Sequence, residues 1–330
     1  MKDYLRDKTR DLLRPGYYFC KDIVDLKGRK RLKKNISINN LYSGKRAFLL
    51  LTGASLQQVD IKKLKDEYTL GVSLIFLHED IEKIGLSFYV SLGTDKILRP
   101  GLPLWPTSCS GQAPRPLGPE GILEVYRELD TRLGNETNLI LHSDSYKLIK
   151  RHNVFQHKTV HYTKGKKRLH VPQNVPYEVI ADLTKRSISG GGSVFFSILI
   201  LMYMGFKEIY LCGAGYTYEP TYQFHFYDSF VFPRSMGRDR AEIEARKAIS
   251  KRGSRAEYYG LFEKDNLYRC ICVVRRGYGY YRDKHRMVDE YARSQGVNIY
   301  NIVPDGFESP IYERMSWEEV ENNILSGKPG

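Results

Sequence analysis

The chain has 330 residues, 52 Lys and Arg against 38 Asp and Glu, and a formal net charge of +14. A hydrophobic content of 42% excludes a disordered chain and supports a real core. The basic excess leaves three partner classes: nucleic acid, an anionic membrane surface, or phosphorylated small molecules.

Residues 1–44 carry no strand signal and read as a basic N-terminal extension; residues 45–330 read as one domain with inserted loops. Arg46–Leu51 (RAFLLL) is apolar without alternation, which predicts a strand buried on both faces. Thr52-Gly53-Ala54-Ser55 then turns into a helix predicted over Leu56–Lys65. Thr69–Leu77 predicts a second strand and Leu86–Leu92 a third. The Pro/Gly-rich stretch Arg99–Pro119 predicts a long surface loop, better suited to a substrate lid or partner contact than to a linker. A helix is expected over Gly121–Leu133 and a buried strand over Asn138–His142 (NLILH). The polar, basic stretch that follows, to Pro176, gives few signals.

Ser189–Tyr218 is the most informative stretch. It reads as a glycine-rich loop, a fully buried helix, a tight turn, the strand Glu208–Cys212 and a second glycine loop. Beyond it come an aromatic loop (Tyr216–Gly237), a charged helix (Asp239–Arg252), a strand (Leu267–Val274) and a helix (Asp283–Ser294). A last core strand (Val297–Ile302) and a closing helix (Trp317–Leu325) follow. Buried strands alternating with helices predict an α/β fold: a Rossmann-like open, mainly parallel sheet with helices on both faces.

Ligands of such sheets lie beyond the carboxyl ends of the strands, near the point where strand order reverses. Three segments should meet there: Thr52, Gly53 and Ser55; Ser189, Gly190, Gly191, Gly192 and Ser193; and Gly213 with the residues to Tyr218. The triple glycine stands where a helix begins, so unpaired N–H groups and the helix dipole face outward without Cβ atoms in the way. That is a site for a nucleotide phosphate. It is not a Walker loop, since no Gly-Lys-Ser/Thr follows, and TGAS lacks the later glycines of a dinucleotide fingerprint.

His225, in the aromatic loop, and His285, at the start of the helix Asp283–Ser294, are the candidate acid/base groups, because imidazole titrates near neutrality. His142 either faces the cleft or simply ends its strand. Asp60, Asp144, Glu219 and Asp228 show no spacing that specifies a metal cage. Magnesium is the one cofactor the reading leaves room for; an ion held mainly by substrate phosphates would leave few traces in sequence.

The cysteines (Cys20, Cys109, Cys212, Cys270, Cys272) are odd in number without metal-type spacing, which suggests a reducing compartment. The start MKDYLRDKTR is charged throughout and reads as no secretory leader. The longest apolar run, Val194–Met204, is too short to span a bilayer. A cytoplasmic protein is expected, with the basic run Lys27–Lys34 (KGRKRLKK) offering peripheral contact with an anionic inner membrane face. A second basic run covers Lys164–Arg168. The 25 tyrosines do not interleave with Arg and Lys as an RNA-binding sheet requires, so no specific nucleic-acid partner is expected.

Taken together, Leu49–Leu56 with Val59-Asp60, Thr69–Phe76, Gly190–Tyr218, His225-Phe226-Tyr227 and Gly296–Pro304 resemble the MptE-like family. That family has a Rossmann-like domain and is named for an archaeal 6-hydroxymethylpterin diphosphokinase. The chain is also similar to bacterial sialyltransferases that use CMP-linked sugars and to motility-associated flagellin glycosyltransferases. MGFKEIYLCG (Met204–Gly213) is the most specific element. Against the family's G-x-G-P-S-L, Leu51 replaces the first glycine, Thr52 an asparagine and Ala54 the proline, while Gly53, Ser55 and Leu56 match. Ser73 stands where an asparagine helps hold the nucleotide, and Gly213-Ala214-Gly215 lacks the acid of G-x-D.

The resemblance implies a glycosyltransferase with a nucleotide-sugar donor, CMP-linked, and a glycan or lipid-linked acceptor. His225 or His285 would take the acceptor proton. Two alternatives remain: a pterin diphosphokinase, weakened by the missing acid at Gly215, and a degenerate, non-catalytic nucleotide binder.

Overall fold

The computed structural model describes residues 25–91, 119–167, 181–185, 187–189, 192–214, 284–303, 309 and 311–326. Its centre is an eight-stranded sheet in the order β10-β9-β8-β1-β2-β3-β4-β5. These strands are β1 (Arg46–Leu50), β2 (Thr69–Val72), β3 (Phe88–Ser91), β4 (Asn138–His142), β5 (Val160–Thr163), β8 (Glu208–Cys212), β9 (Asn298–Ile302) and β10 (Glu313–Met315). Every pairing is parallel. Two short strands, β6 (Gly165–Lys167) and β7 (Ser187–Ser189), pair parallel apart from it. The expected α/β architecture is therefore present.

The chain winds outward from β1 to β5 on one side, then returns to place β8 on the other side of β1. The order of strands reverses between β1 and β8. That is the position where a parallel sheet opens a crevice.

Strand parity explains why these runs show no alternation. Successive side chains point to opposite faces. Ala47, Leu49 and Leu51 enter one core, Phe48 and Leu50 the other. In β8, Ile209 and Leu211 join the first core, Tyr210 and Cys212 the second. Both faces are covered, so every position must be apolar. On the second face Phe48, Tyr210 and Tyr300 form a stacked aromatic row across β1, β8 and β9, with ring centroids 4.9 and 5.1 Å apart. That spacing is the distance between neighbouring strands, about 4.8 Å, as the register pairs all three residues.

The helices are α1 (Leu26–Lys33), α2 (Ile81–Ile84), α3 (Pro119–Arg132), α4 (Tyr146–His152), α5 (Gly192–Met204), α6 over 284–294, and α7 (Trp317–Glu319), which continues as a π-helix, Val320–Leu325. The first face packs under α5, α6 and the segment around Ile38. The second packs under α3, α4, the turns after β1 and Val320. Helix α5 is buried from Val194 to Leu201, as a helix apolar all round must be. Residues 25–44 belong to this packing: Leu32, Asn35 and Ile38 are buried, and Tyr42 stacks on Phe206 at 5.1 Å.

Two expected elements differ. The helix over Leu56–Lys65 is instead a pair of 3-10 turns, Ala54–Gln58 and Ile61–Leu64. Val59 between them is extended, and the Asp60 carboxylate accepts from the Lys62 N–H at 3.3 Å, starting the second turn afresh. The strand Thr69–Leu77 stops at Val72, because Ser73 adopts φ +54° and opens a 3-10 turn to Leu77. The edge strand β10, with its polar sequence ERM, had no apolar pattern to announce it. The expected strand Leu267–Val274, the helix Asp239–Arg252, the loop Tyr216–Gly237 and, apart from Pro119, the loop Arg99–Pro119 lie outside the described residues.

Candidate functional site

The carboxyl ends of β1 and β8 are joined by backbone hydrogen bonds. The Leu51 N–H donates to the Cys212 carbonyl at 2.8 Å, and the Gly53 N–H donates to the Gly213 carbonyl at 3.0 Å. Two of the three predicted loops thus meet at the switch point. The contact needs a glycine at 213. Its φ is +84°, and a Cβ there would lie 2.8 Å from the Leu51 carbonyl oxygen.

The third segment arrives through α5. Its carboxyl end is tied to the amino end of β1: the Asn40, Tyr42 and Gly44 N–H groups donate to the Tyr203, Met204 and Gly205 carbonyls at 3.0, 2.9 and 3.3 Å. Lys207 N–H then donates to the Lys45 carbonyl at 2.9 Å. Thirteen residues of α-helix span about 20 Å, so the start of α5 lies toward the carboxyl ends of the strands. The helix packs on β1 and β2. Gly192 is its first residue and Ser193, in the first turn, is exposed. Ser189 ends β7; Gly190 and Gly191 lie outside the described residues.

At the end of β2, Ser73 is exposed in a left-handed backbone, and its carbonyl accepts from the Tyr89 hydroxyl at 2.5 Å. Non-glycine residues rarely hold such an angle, and strained positions cluster at ligand clamps. Thr52 and Gly53 are half-buried. Ser55 is only 5% exposed, and its Oγ has no hydrogen-bond partner. It lines a cleft of about 110 Å³ with Gln58, Val59, Ile302, Val303 and Trp317. Beside it runs a wider groove of about 760 Å³, lined by Gln57, Asp60, Lys62, His78, Asp80 and Glu321 among others. The cleft alone is too small for a nucleotide, which needs several hundred Å³.

His225 lies outside the described residues. His285 lies in α6 with no exposed surface, and its Nδ1 is hydrogen-bonded to the Tyr312 hydroxyl. Burial first, and the Lys284 charge second, push its pKa down to about 3. A ring so placed is neutral at neutral pH and a poor proton acceptor. The sequence offered no sign of this, since Tyr312 is remote along the chain. His142 ends its strand: it is buried, and its Nδ1 accepts from the Asp144 N–H at 3.3 Å. His78 makes the same turn contact with the Asp80 N–H at 3.2 Å, and burial lowers its pKa. Cys212 is a free, fully buried thiol, its pKa raised by burial. Among the described residues no three His, Cys, Asp or Glu side chains converge as metal ligands.

Fold and mouth together define an open, parallel α/β protein with its loops gathered at the switch point. No family model matches the chain, and no curated protein matches it. Solved structures that resemble it are those of a sialyltransferase. One is CstII from Campylobacter jejuni with the substrate analogue cytidine-5'-monophosphate, at 10% identity, over 63% of this chain and 78% of that one, with a TM-score of 0.31. Another is CST-II with a trisaccharide acceptor and CMP, at 9% identity, over 82% of this chain and 86% of that one, with a TM-score of 0.37. The resemblance to the MptE-like family rests on its motifs alone.

Proposed function

We propose that the chain is a glycosyltransferase that uses a nucleotide-activated sugar, CMP-linked, on a cell-surface glycan, glycoprotein or lipid-linked acceptor. One observation carries the reading. Thr52 and Gly53 after β1, Ser73 after β2, Gly213 after β8 and the glycine-led start of α5 are gathered at one end of the sheet. In this reading the first N–H groups of α5 and the Ser193 hydroxyl hold the donor phosphate.

The acceptor oxygen attacks the anomeric carbon while the bond from that carbon to the phosphate oxygen breaks. CMP leaves with the electron pair, and the helix-start N–H groups stabilise its charge. A base takes the acceptor proton. His225 fits that role better than His285, whose ring is buried and held neutral against Tyr312. Magnesium, where used, would be carried by substrate phosphates.

Hydrolysis and transfer assays with CMP-sialic acid and other nucleotide sugars test the proposal. CMP release that rises with added acceptor is expected. No turnover with any donor, combined with binding of CMP, would replace it with the non-catalytic reading. One fact favours that second reading: the Gly53 N–H is already taken by the Gly213 carbonyl. Magnesium-dependent AMP release with a hydroxymethylpterin would instead restore the diphosphokinase.

A further inference from the structure

Among the described residues the large apolar side chains left exposed are Leu26 (68%), Ile36 (65%), Leu41 (59%) and Tyr68 (37%). The first three belong to one segment, and the fourth packs edge-on against that segment's Tyr42 at 5.0 Å. The same segment exposes Lys27, Arg29, Lys30, Lys33, Lys34 and Lys45, and its one acid, Asp25, is paired with Lys164. No other described surface combines bare leucine and isoleucine with this density of cations.

The orientation is set by the buried side. Gly28, Leu32, Asn35 and Ile38 face the domain. Asn35 donates to the Tyr162 and Leu183 carbonyls, each at 2.8 Å, and the Arg31 guanidinium lies 4.2 Å over the Tyr146 ring. At helical spacing Leu26, Lys30 and Lys33 then share the outward face. The segment runs from the carboxyl end of β5, where Lys164 meets Asp25, to the amino end of β1.

We infer that this flank docks on an anionic lipid bilayer. Cations satisfy the headgroups, and Leu26, Ile36 and Leu41 enter the boundary below them. A nucleic-acid backbone would match the cations but leaves three aliphatic side chains in water. The inference stands apart from the transferase reading.

Co-sedimentation of the full chain with vesicles tests it. One set is phosphatidylcholine; the other mixes in phosphatidylglycerol. The chain should bind the mixed vesicles and not the neutral ones. Replacing three lysines (K27Q, K30Q, K33Q) should weaken binding by about a hundredfold, as three lost headgroup contacts imply. Replacing the apolar trio (L26S, I36S, L41S) should leave binding that vanishes in salt, while the parent keeps part of its own. Circular dichroism checks that both variants stay folded. No binding to mixed vesicles, equal binding to both sets, or folded variants that bind like the parent would overturn the inference. So would tight binding of single-stranded RNA without vesicle binding. No nucleotide enters the assay, so its failure leaves the proposed reaction untouched.

Discussion

Ser73 stands at the end of β2 with φ +54°, a backbone that costs an L residue about 1–2 kcal/mol. Glycine has no such cost. Ser73→Gly should therefore raise the urea midpoint by the equivalent of about 1 kcal/mol while weakening CMP binding. A stabilised variant with unchanged affinity would remove Ser73 from the site. Gly213 is the converse case. Gly213→Ala puts a Cβ 2.8 Å from the Leu51 carbonyl at a positive φ and should lose about 1–3 kcal/mol. His285 carries a pH dependence. Its pKa in the fold is about 3, below the ordinary 6.5, so the unfolded chain binds the extra proton between those values. Stability from this group is complete above pH 6.5 and falls as pH drops, by about 1.4 kcal/mol per unit, until about pH 3. Urea melts of the parent and of His285→Gln across that window should show a shallower slope in the variant. Parallel slopes would contradict the buried neutral ring.

At the scale of elements, continuous apolar runs were legible and local twists were not. NLILH is β4 and EIYLC is β8 residue for residue, because burial on both faces leaves no polar position to blur the ends. The helix expected after β1 failed because Asp60 offers its side chain to a nearby N–H and competes with the helix. β2 was overdrawn because nothing in SLIFL announces that its first residue, Ser73, is left-handed. β5 and β10 are short edges held by backbone pairing, so their sequences carry little pattern. Helix α5 was the clearest element and has the most at stake. Leu199 is fully buried, so Leu199→Ala should cost about 2–5 kcal/mol in urea unfolding. A smaller loss would mean the core over β1 and β2 can collapse around it.

At the scale of the molecule, the chain builds its mouth where strand order reverses, and the loops that follow β1 and β8 are joined there. The glycines and serines of that mouth were readable as turns after strands. What they bond to was not, because the partner of Gly53 is 160 residues away in a loop that only the sheet brings near. The basic run at Lys27–Lys34 was readable as charge, while its bare aliphatic companions appear only once Leu32, Asn35 and Ile38 turn inward.

The most direct test is the structure of the protein bound to CMP, with affinity measured by titration calorimetry on the same preparation. One bound nucleotide is expected, its phosphate within hydrogen-bond reach of the Gly192 and Ser193 N–H groups. A phosphate lodged elsewhere on the domain, or no heat of binding at all, would contradict it.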